Sequence, residues 1–192
     1  MTEVFSFSEG DTPLLISIPH DGRELAPGQA ERMTPAGLGL TDTDWHVRRL
    51  YEFVGEMGAS VIAANYSRYV VDLNRPPSDE ALYEGQLSTG LCPRQTFAGD
   101  AIYRDEQGVT DSETESRQRA YWRPYHEKIV TTLAALKHEF GCALLWDAHS
   151  IASEVPRLFP GRLHDLNLGT NDGESCAAEV IAPVLRDRKS VV

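Results

Sequence analysis

The most informative segment for predicting the fold is CALLWDAHS, residues 142–150. Its apolar part, Cys142 to Trp146, is typical of a buried strand, and polar residues follow it directly. Asp147 and His149 are two positions apart, so they face the same way on extended backbone. A carboxylate and an imidazole that project together from the carboxyl end of a strand suit a metal site or acid–base chemistry.

Two further apolar runs end in reactive polar groups. Leu14 to Ile18 is followed by Pro19-His20-Asp21-Gly22. A third strand is predicted from Arg68 to Leu73, and its apolar centre leads into Asp72-Leu73-Asn74-Arg75. Because ligands bind at the carboxyl ends of the strands in open α/β sheets, we expect these three groups to form one active site.

The composition restricts the class of partner. A chain of 192 residues with 41% hydrophobic residues is large enough for one domain with a sizeable core. Lys and Arg total 18 and Asp and Glu total 29, which gives a net charge of -11. This charge argues against a nucleic-acid partner, since phosphate binding needs a basic surface. A small anionic substrate remains compatible, because a few local arginines can bind it.

The expected location is the cytoplasm, with no membrane association. No apolar stretch approaches the roughly 18 residues that a membrane-spanning helix needs. The first residues, MTEV, lack the basic and apolar regions of a signal peptide. The three cysteines, Cys92, Cys142 and Cys176, are scattered and form no CxxC pair, which fits a reducing compartment. The oligomeric state stays open.

Strands that alternate with helices predict a mostly parallel α/β sheet flanked by helices. The first strand is expected to form a hairpin or an edge pairing, and the long loop 76–110 is expected to cover the active site. The predicted strands are Glu3 to Ser8, Leu14 to Ile18, Ser60 to Ala64, Arg68 to Leu73 and Cys142 to Trp146; the predicted helices are Asp44 to Met57, Asp111 to Phe140 with a kink or new first turn at Pro124, and Glu174 to Leu185.

His20 and His149 are candidate metal ligands, although a strand-end histidine is more often hydrogen-bonded to backbone. In Thr41-Asp42-Thr43-Asp44, the carboxylates are ordinary helix caps or, alternatively, one of them turns towards the metal. Two histidines and one carboxylate form a usual catalytic zinc set that leaves one position for water. His46, His126 and His138 are not expected to be ligands.

Asn74 and Arg75 are candidates for substrate binding. The guanidinium fork of Arg75 matches the two oxygens of a carboxylate, and the alternative is a surface ion pair. Arg68, Arg94 and Arg104 are weaker candidates for the same contact. The aromatic cluster Trp122-Arg-Pro-Tyr-His126 is expected to pack in the core or cap a helix.

Six blocks, in this order along the chain, resemble the N-formylglutamate amidohydrolase family of bacterial histidine degradation. The Asp-Leu-Asn-Arg75 block is also similar to one in aspartoacylases and related zinc deacylases, in which Asn and Arg bind the α-carboxylate of the substrate. The six blocks are SIPH (17–20), TDTDWH (41–46), SRYVVDLNRP (67–76), WRPYH (122–126), LWDAHS (145–150) and LNLGTN (166–171).

The resemblance implies a phosphorylase/hydrolase-like α/β fold similar to that of zinc carboxypeptidases. It implies a zinc ion, or another divalent metal, held by His20, His149 and a carboxylate of the Asp42/Asp44 block, with Asp44 preferred. It also implies a glutamate general base beyond residue 192, so that residues 1–192 form a single α/β hydrolase domain that lacks its C-terminal strands. We therefore expect an exposed sheet edge and little activity, with Asp147 as an orienting group or substitute base.

The expected activity is zinc-dependent hydrolysis of N-formyl-L-glutamate to formate and L-glutamate. Asn74, Arg75 and Arg68 would bind the substrate. The first alternative is a deacylase or carboxypeptidase that acts on another N-acyl amino acid, with the same zinc and a different acyl pocket. The second is an inactive module that binds acidic amino acids without turnover.

Overall fold

The computed structural model describes residues 2–79, 89–105 and 107–187. Its sheet has four strands in the order β1-β3-β2-β4. β1 pairs antiparallel with β3, whereas β2 runs parallel to both β3 and β4. The strands are β1 (Phe5–Ser8), β2 (Leu14–Ile18), β3 (Ser60–Ala64) and β4 (Leu144–Asp147).

The mostly parallel α/β sheet is confirmed, and so are four of the five predicted strands. The first strand forms the predicted edge pairing, with β3 as its partner. The more specific similarity to zinc carboxypeptidases stays a prediction, as does the assignment of residues 1–192 to one domain without its C-terminal strands. Part of the predicted loop, residues 80–88 and 106, lies outside the described residues.

Most of the described helices lie in the connections between strands, and α6 follows the last described strand. Three short α-helices and a 3₁₀ turn lie between β2 and β3, and a long helical segment lies between β3 and β4. The α-helices are α1 (Gln29–Arg32), α2 (Pro35–Leu38), α3 (Val47–Leu50), α4 (Asp111–Arg117), α5 (Arg123–Phe140) and α6 (Ala178–Asp187); the 3₁₀ turns are Glu52–Gly55 and Asn171–Gly173, and a π-helical turn, Gln118–Trp122, joins α4 to α5.

The long helical prediction is confirmed in outline. Pro124 lies in the first turn of α5, where its missing N–H leaves no helical bond unmade. α5 ends at Gly141, whose φ of 76° is a left-handed conformation that glycine adopts without strain. Its buried residues keep helical spacing on one face: Tyr125, Ile129, Thr132 and Leu136.

The sheet is covered on both faces. Leu15 and Ile62 pack towards α5, with Tyr125 and Ile129 in the same cluster of buried residues. The alternate residues of β2 face the other way, where Ile16 and Ile18 pack with Val47 of α3, Val54 and Ala63. Alternation along a strand therefore gives β2 two apolar faces, as expected for a central parallel strand.

The predicted helix from Asp44 to Met57 is wrong as a single element. His46 has a φ of 66°, so α3 begins only at Val47. The preceding backbone is held in a turn, because the Asp44 amide donates to the His20 carbonyl at 3.0 Å. At the far end, Tyr51 leaves α-helical geometry and a 3₁₀ turn follows. The contact with the end of β2 therefore overrides local helix propensity.

The predicted strand from Arg68 to Leu73 is also wrong. The segment is buried as expected, but it forms turns and pairs with none of the described strands. Side chains take the carbonyl bonds that a strand would have made: Arg117 donates to the carbonyls of Tyr69 and Val70, and Gln29 donates to that of Tyr69. An apolar run shows burial but does not by itself distinguish a strand from an irregular buried segment.

β4 is an edge strand within the described part of the chain. Leu144 and Leu145 of this strand are 43% and 41% exposed, although their register partners on β2 are largely or fully buried. The expected exposed edge is thus present among the described strands. Among the described residues, no helix combines the length and the apolar character required to span a membrane.

Candidate metal centre

His20 stands directly after the central strand β2 and is buried, with 1% of its surface exposed. Its Nε2 lies 2.8 Å from Oδ1 of Asp72. Its Nδ1 has no hydrogen-bond partner among the described residues, and Oδ2 of Asp44 lies 3.8 Å from it. Burial and the positive charge of Arg68 lower the pKa of His20, so the ring is neutral and Nδ1 can offer a lone pair.

Asp44 lies at the centre of the cluster. Its Oδ2 is 2.9 Å from Nδ1 of His149 and accepts the Ser150 amide at 3.2 Å. Its Oδ1 is 3.8 Å from the guanidinium of Arg68. The neighbouring candidate, Asp42, accepts the amide of Phe97 at 2.8 Å and belongs to a different contact. The structure therefore brings Asp44, and not Asp42, between the two histidines.

His149 reaches the cluster from the end of β4. Its Nδ1 faces Asp44, and its Nε2 lies 3.0 Å from Oδ2 of Asp147. Burial lowers the pKa of His149, but the hydrogen bonds and charges of Asp147 and Asp44 outweigh it and raise the pKa to about 9. The metal-free imidazole is therefore cationic at neutral pH, and both ring nitrogens donate to carboxylates.

Asp147 stands two residues before His149 and, like it, lines a cleft beside the cluster. Its side chain is 39% exposed. Burial would raise its pKa, but the hydrogen bond and charge of His149 hold the pKa below the usual range. Asp147 is thus an ionised carboxylate that can orient the imidazole.

The side chains of His20, Asp44 and His149 converge on one region. The ring centroids of the two histidines are 5.0 Å apart. One ligand atom from each of the three residues lies within 4.8 Å of the other two. A buried imidazole nitrogen without a partner, aimed at a carboxylate and a second imidazole, fits a divalent metal ion. The donor set is the one that catalytic zinc sites use.

Arg68, which the sequence suggested for substrate binding, lies behind the cluster. Its guanidinium donates to Oδ2 of Asp72 at 2.7 Å and stacks 4.6 Å over the ring of Phe97. Burial alone would raise the pKa of Asp72, but Arg68 and His20 hold the pKa well below its usual range. The structure therefore commits Arg68 to the buried carboxylates Asp72 and Asp44.

Asn74 and Arg75 occupy the turn after Asp72. Nδ2 of Asn74 lies 3.5 Å from Nε2 of His149, which places the amide at the edge of the cluster. The guanidinium of Arg75 donates to the carbonyl of Asn74 at 2.9 Å, and its buried Nε has no partner in the part of the chain that the structure describes. Asn74 therefore lies beside a candidate ligand, and Arg75 follows it on the same turn.

The aromatic cluster at the start of α5 holds this turn in place. Nε1 of Trp122 donates to the carbonyl of Arg75 at 3.0 Å, and Nε2 of His126 pairs with the carbonyl of Leu73 at 2.9 Å. The two rings stack with centroids 3.8 Å apart. The expected packing role thus includes two backbone contacts that sequence spacing did not indicate.

A cleft of about 830 Å³ opens beside the cluster. Its walls include Asn74, Trp146, Asp147, His149 and the loop 163–169. The loop brings His164 and Asp165 to the cleft. The sequence showed only that these two residues lie in a polar loop, so it did not predict this position. The cleft has room for an amino-acid derivative and exposes both His149 and Asp147 to it.

The other candidates lie elsewhere. The ring of His46 is tilted against that of Trp45, with centroids 6.2 Å apart, and His138 is exposed on α5. Arg94 donates to the carbonyl of Val109, and Arg104 is exposed. Asp72 is the residue that sequence reasoning placed at a strand end without giving it a function. The sequence feature that could have indicated its buried position is Arg68, four residues earlier, which supplies the countercharge.

Fold and cluster together define an α/β protein with a two-histidine, one-carboxylate candidate metal centre at the carboxyl edge of its sheet. Comparison of the sequence with known protein families identifies one family. Residues 12–190 match the family model described as N-formylglutamate amidohydrolase. The chain therefore belongs to the N-formylglutamate amidohydrolase family.

Individual relatives agree with the family assignment. The chain is 53% identical over 176 residues to an N-formylglutamate deformylase of Pseudomonas aeruginosa, covering 92% of the chain and 66% of that relative. It is 45% identical over 188 residues to an N-formylglutamate deformylase of Pseudomonas putida, covering 98% and 68%. The chain thus spans about two thirds of the length of these relatives.

A solved structure supports the fold. The crystal structure of an N-formylglutamate amidohydrolase from Ralstonia eutropha JMP134 superposes with a TM-score of 0.79 at 24% sequence identity, over 97% of this chain and 73% of that one. Identity at this level shows a shared fold and leaves the chemistry to be argued from the site.

Proposed function

We propose that this protein takes part in zinc-dependent hydrolysis of N-formyl-L-glutamate to formate and L-glutamate, a step of histidine degradation. The observation that carries the proposal is the convergence of His20, Asp44 and His149 beside a cleft of about 830 Å³. The relatives named N-formylglutamate deformylase support the choice of substrate.

His20, Asp44 and His149 would hold the metal. When bound, zinc polarises a carbonyl oxygen and lowers the pKa of a coordinated water towards 7. His149 must release its Nδ1 proton when the metal binds, because that nitrogen now faces Asp44 as a donor. His20 needs no such change, since its Nδ1 is unpaired.

Asp147 supports His149 from the side of the cleft. Its Oδ2 accepts the Nε2 proton of His149, which fixes the orientation of the ring and leaves Nδ1 for the metal. Asp147 is also exposed to the cleft, so it is the substitute proton acceptor where no glutamate base acts.

Asn74 and Arg75 would bind a carboxylate of the substrate. Asn74 lines the cleft beside His149, and its amide can donate to an anionic oxygen. Arg75 follows on the same turn and would have to swing its guanidinium away from the carbonyl of Asn74 to reach the substrate. Trp122 and His126 hold the backbone of this turn, which keeps the formyl group aligned with the metal.

The first test combines zinc titration calorimetry with an assay of formate release from N-formylglutamate. We expect His20→Ala and His149→Ala to lose zinc binding and any formate release, because each removes one of three ligands. The matched control is His138→Ala, an exposed histidine of α5, which should bind zinc like the parent.

Zinc binding by His20→Ala or His149→Ala at the parent affinity would remove that residue from the centre. A second assay offers the protein a panel of N-acyl amino acids. If it hydrolyses these and does not hydrolyse N-formylglutamate, the result would favour a deacylase of different acyl specificity.

A further inference from the structure

The contact between His20 and Asp72 lies on the side of the imidazole that faces away from the candidate metal. Asp72 is fully buried at 0% exposure, and its Oδ1 is 2.8 Å from Nε2 of His20. Proposed metal binding uses the opposite nitrogen, Nδ1, so this contact does not ligate. It needs a separate explanation, because a buried carboxylate is costly to retain.

Three donors surround the carboxylate of Asp72. Oδ2 accepts from the guanidinium of Arg68 at 2.7 Å, and Oδ1 accepts from the backbone amide of Asn74 at 2.9 Å. Arg68 and the Asn74 amide have no accepting atom to offer, so Asp72 is held as a pure acceptor. The remaining partner, Nε2 of His20, must then carry the proton.

We infer that Asp72 is a positioning residue that holds His20 as the Nε2–H tautomer and thereby makes Nδ1 the ligating nitrogen. Arg68 and the Asn74 amide keep Asp72 in this acceptor role. The inference deepens the proposed function, and its consequence for metal binding rests on that function. The tautomer itself exists without any metal.

The orphaned Nδ1 gives the inference an independent geometric basis. It is buried, it has no hydrogen-bond partner within residues 2–79, 89–105 and 107–187, and it points into the cluster of Asp44 and His149. A proton on Nδ1 would leave Nε2 as an acceptor facing the Asp72 oxygen at hydrogen-bond distance, two acceptors in contact. Asp72 therefore excludes the tautomer that would block the metal.

Asp72→Asn changes this arrangement with little change of shape. The guanidinium of Arg68 makes the stronger, charge-assisted bond and should keep the amide oxygen on its side. The new NH₂ group then faces Nε2 of His20 and donates to it, which moves the ring proton to Nδ1, while the Asn74 amide loses its acceptor. The expected consequence is a 10- to 100-fold loss of zinc affinity, the usual range for loss of a carboxylate behind a ligating histidine.

The experiment has two measurements, each made on the parent and on its variants. Ring ¹⁵N spectra of the metal-free, histidine-labelled proteins report the tautomer, and a zinc titration reports the metal affinity. In the parent, we expect the His20 signal of a protonated Nε2 and an unprotonated Nδ1. In Asp72→Asn, the Nδ1–H form should rise and zinc affinity should fall. Asp72→Glu keeps the charge and should retain the Nε2–H form.

The matched control is Glu113→Gln, since Glu113, like Asp72, accepts hydrogen bonds from arginine, here Arg32 and Arg117, but lies outside the cluster. It should leave the His20 tautomer and zinc affinity unchanged. A parent His20 with its proton on Nδ1 would overturn the inference without any variant. So would an Asp72→Asn chain that folds and keeps the Nε2–H form.

The two proposals fail in different ways. A parent chain that binds no zinc would overturn the metal function, while the ring spectra would still decide the role of Asp72. An Asp72→Asn chain with a changed tautomer and parental zinc affinity would show that His20 is not held as a ligand by this contact, and it would overturn the inference as a metal-positioning role.

Discussion

The two histidines of the candidate centre follow neighbouring parallel strands, yet their surroundings differ sharply. His20 leaves β2, which lies between β3 and β4, and is 1% exposed. His149 leaves β4, which has one partner among the described strands, and its side chain is 32% exposed. The position of a strand in the sheet therefore decides how a residue at its end is held.

The difference extends to charge. At the end of the central strand, burial and Arg68 lower the pKa of His20. At the end of the edge strand, two carboxylates overcome the opposing effect of burial and raise the pKa of His149 to about 9. Under the proposed function, the buried half of the centre would already offer a lone pair to a metal, whereas the exposed half would first have to lose a proton.

The largest expected effect is on the buried half. Arg68→Met removes the countercharge of Asp72 and leaves an uncompensated buried carboxylate. We expect a loss of about 3–5 kcal/mol in the free energy of unfolding, the usual cost of breaking a buried ion pair by removing one partner. Urea denaturation of the metal-free chain measures this loss.

The control for this prediction is Arg119→Met. Arg119 also pairs with an acidic residue at helical spacing, but both side chains of the pair with Glu115 are largely exposed. Its free energy of unfolding should stay within about 0.5 kcal/mol of the parent, because exposed pairs contribute little. Equal losses in the two variants would mean that the Arg68–Asp72 pair is not desolvated as the structure indicates.

A second prediction compares β2 and β4 through a register pair. Leu15 and Leu145 are partners across the two strands, and they are 0% and 41% exposed. Leu15→Ala should cost about 2–5 kcal/mol in the free energy of unfolding, because it opens a cavity against α5. Leu145→Ala should change the free energy by only about 0.5 kcal/mol, as exposed substitutions do.

Both variants remove the same atoms, so they control for each other in one denaturation series. A loss for Leu145→Ala as large as that for Leu15→Ala would show that β4 is covered in solution. The comparison of a central and an edge strand would then need revision.

The spacing of apolar residues along the chain was sufficient to predict the elements whose structure depends on nearby residues. The apolar runs of β2 and β3 and the helical spacing of Tyr125, Ile129 and Leu136 predicted elements that the structure contains. Strand ends also predicted that His20 and His149 are neighbours, since the carboxyl ends of parallel strands share one edge. The place of Asp44 beside them was expected from the family resemblance and not from a strand end.

Local pattern failed where distant side chains determine the backbone. Tyr69 and Val70 are as buried as strand residues, but Arg117, far along the chain, takes their carbonyls. Arg68 was assigned to a substrate because its charge suits an anion. Its commitment to Asp72 depends on how residues 68–72 fold, which the apolar run did not reveal.

The smallest predicted effect belongs to the exposed half of the centre and depends on pH. In metal-free protein, the folded-state pKa of His149 is about 9, above the ordinary value of 6.5. A raised pKa contributes stability that is fully present below about 6.5 and is lost as pH rises through about 9. The contribution is modest, because solvent screens a side chain that is 32% exposed.

The measurement is the free energy of unfolding of the parent and of His149→Gln at a series of pH values with a chelator present. We expect the advantage of the parent to shrink between pH 6.5 and 9. In an NMR titration, the His149 ring should titrate near 9 and the His20 ring below 6.5, on opposite sides of the ordinary value. Two rings that titrate together would mean that the sheet centre and the sheet edge impose the same environment, which contradicts the difference between β2 and β4 on which the comparison rests.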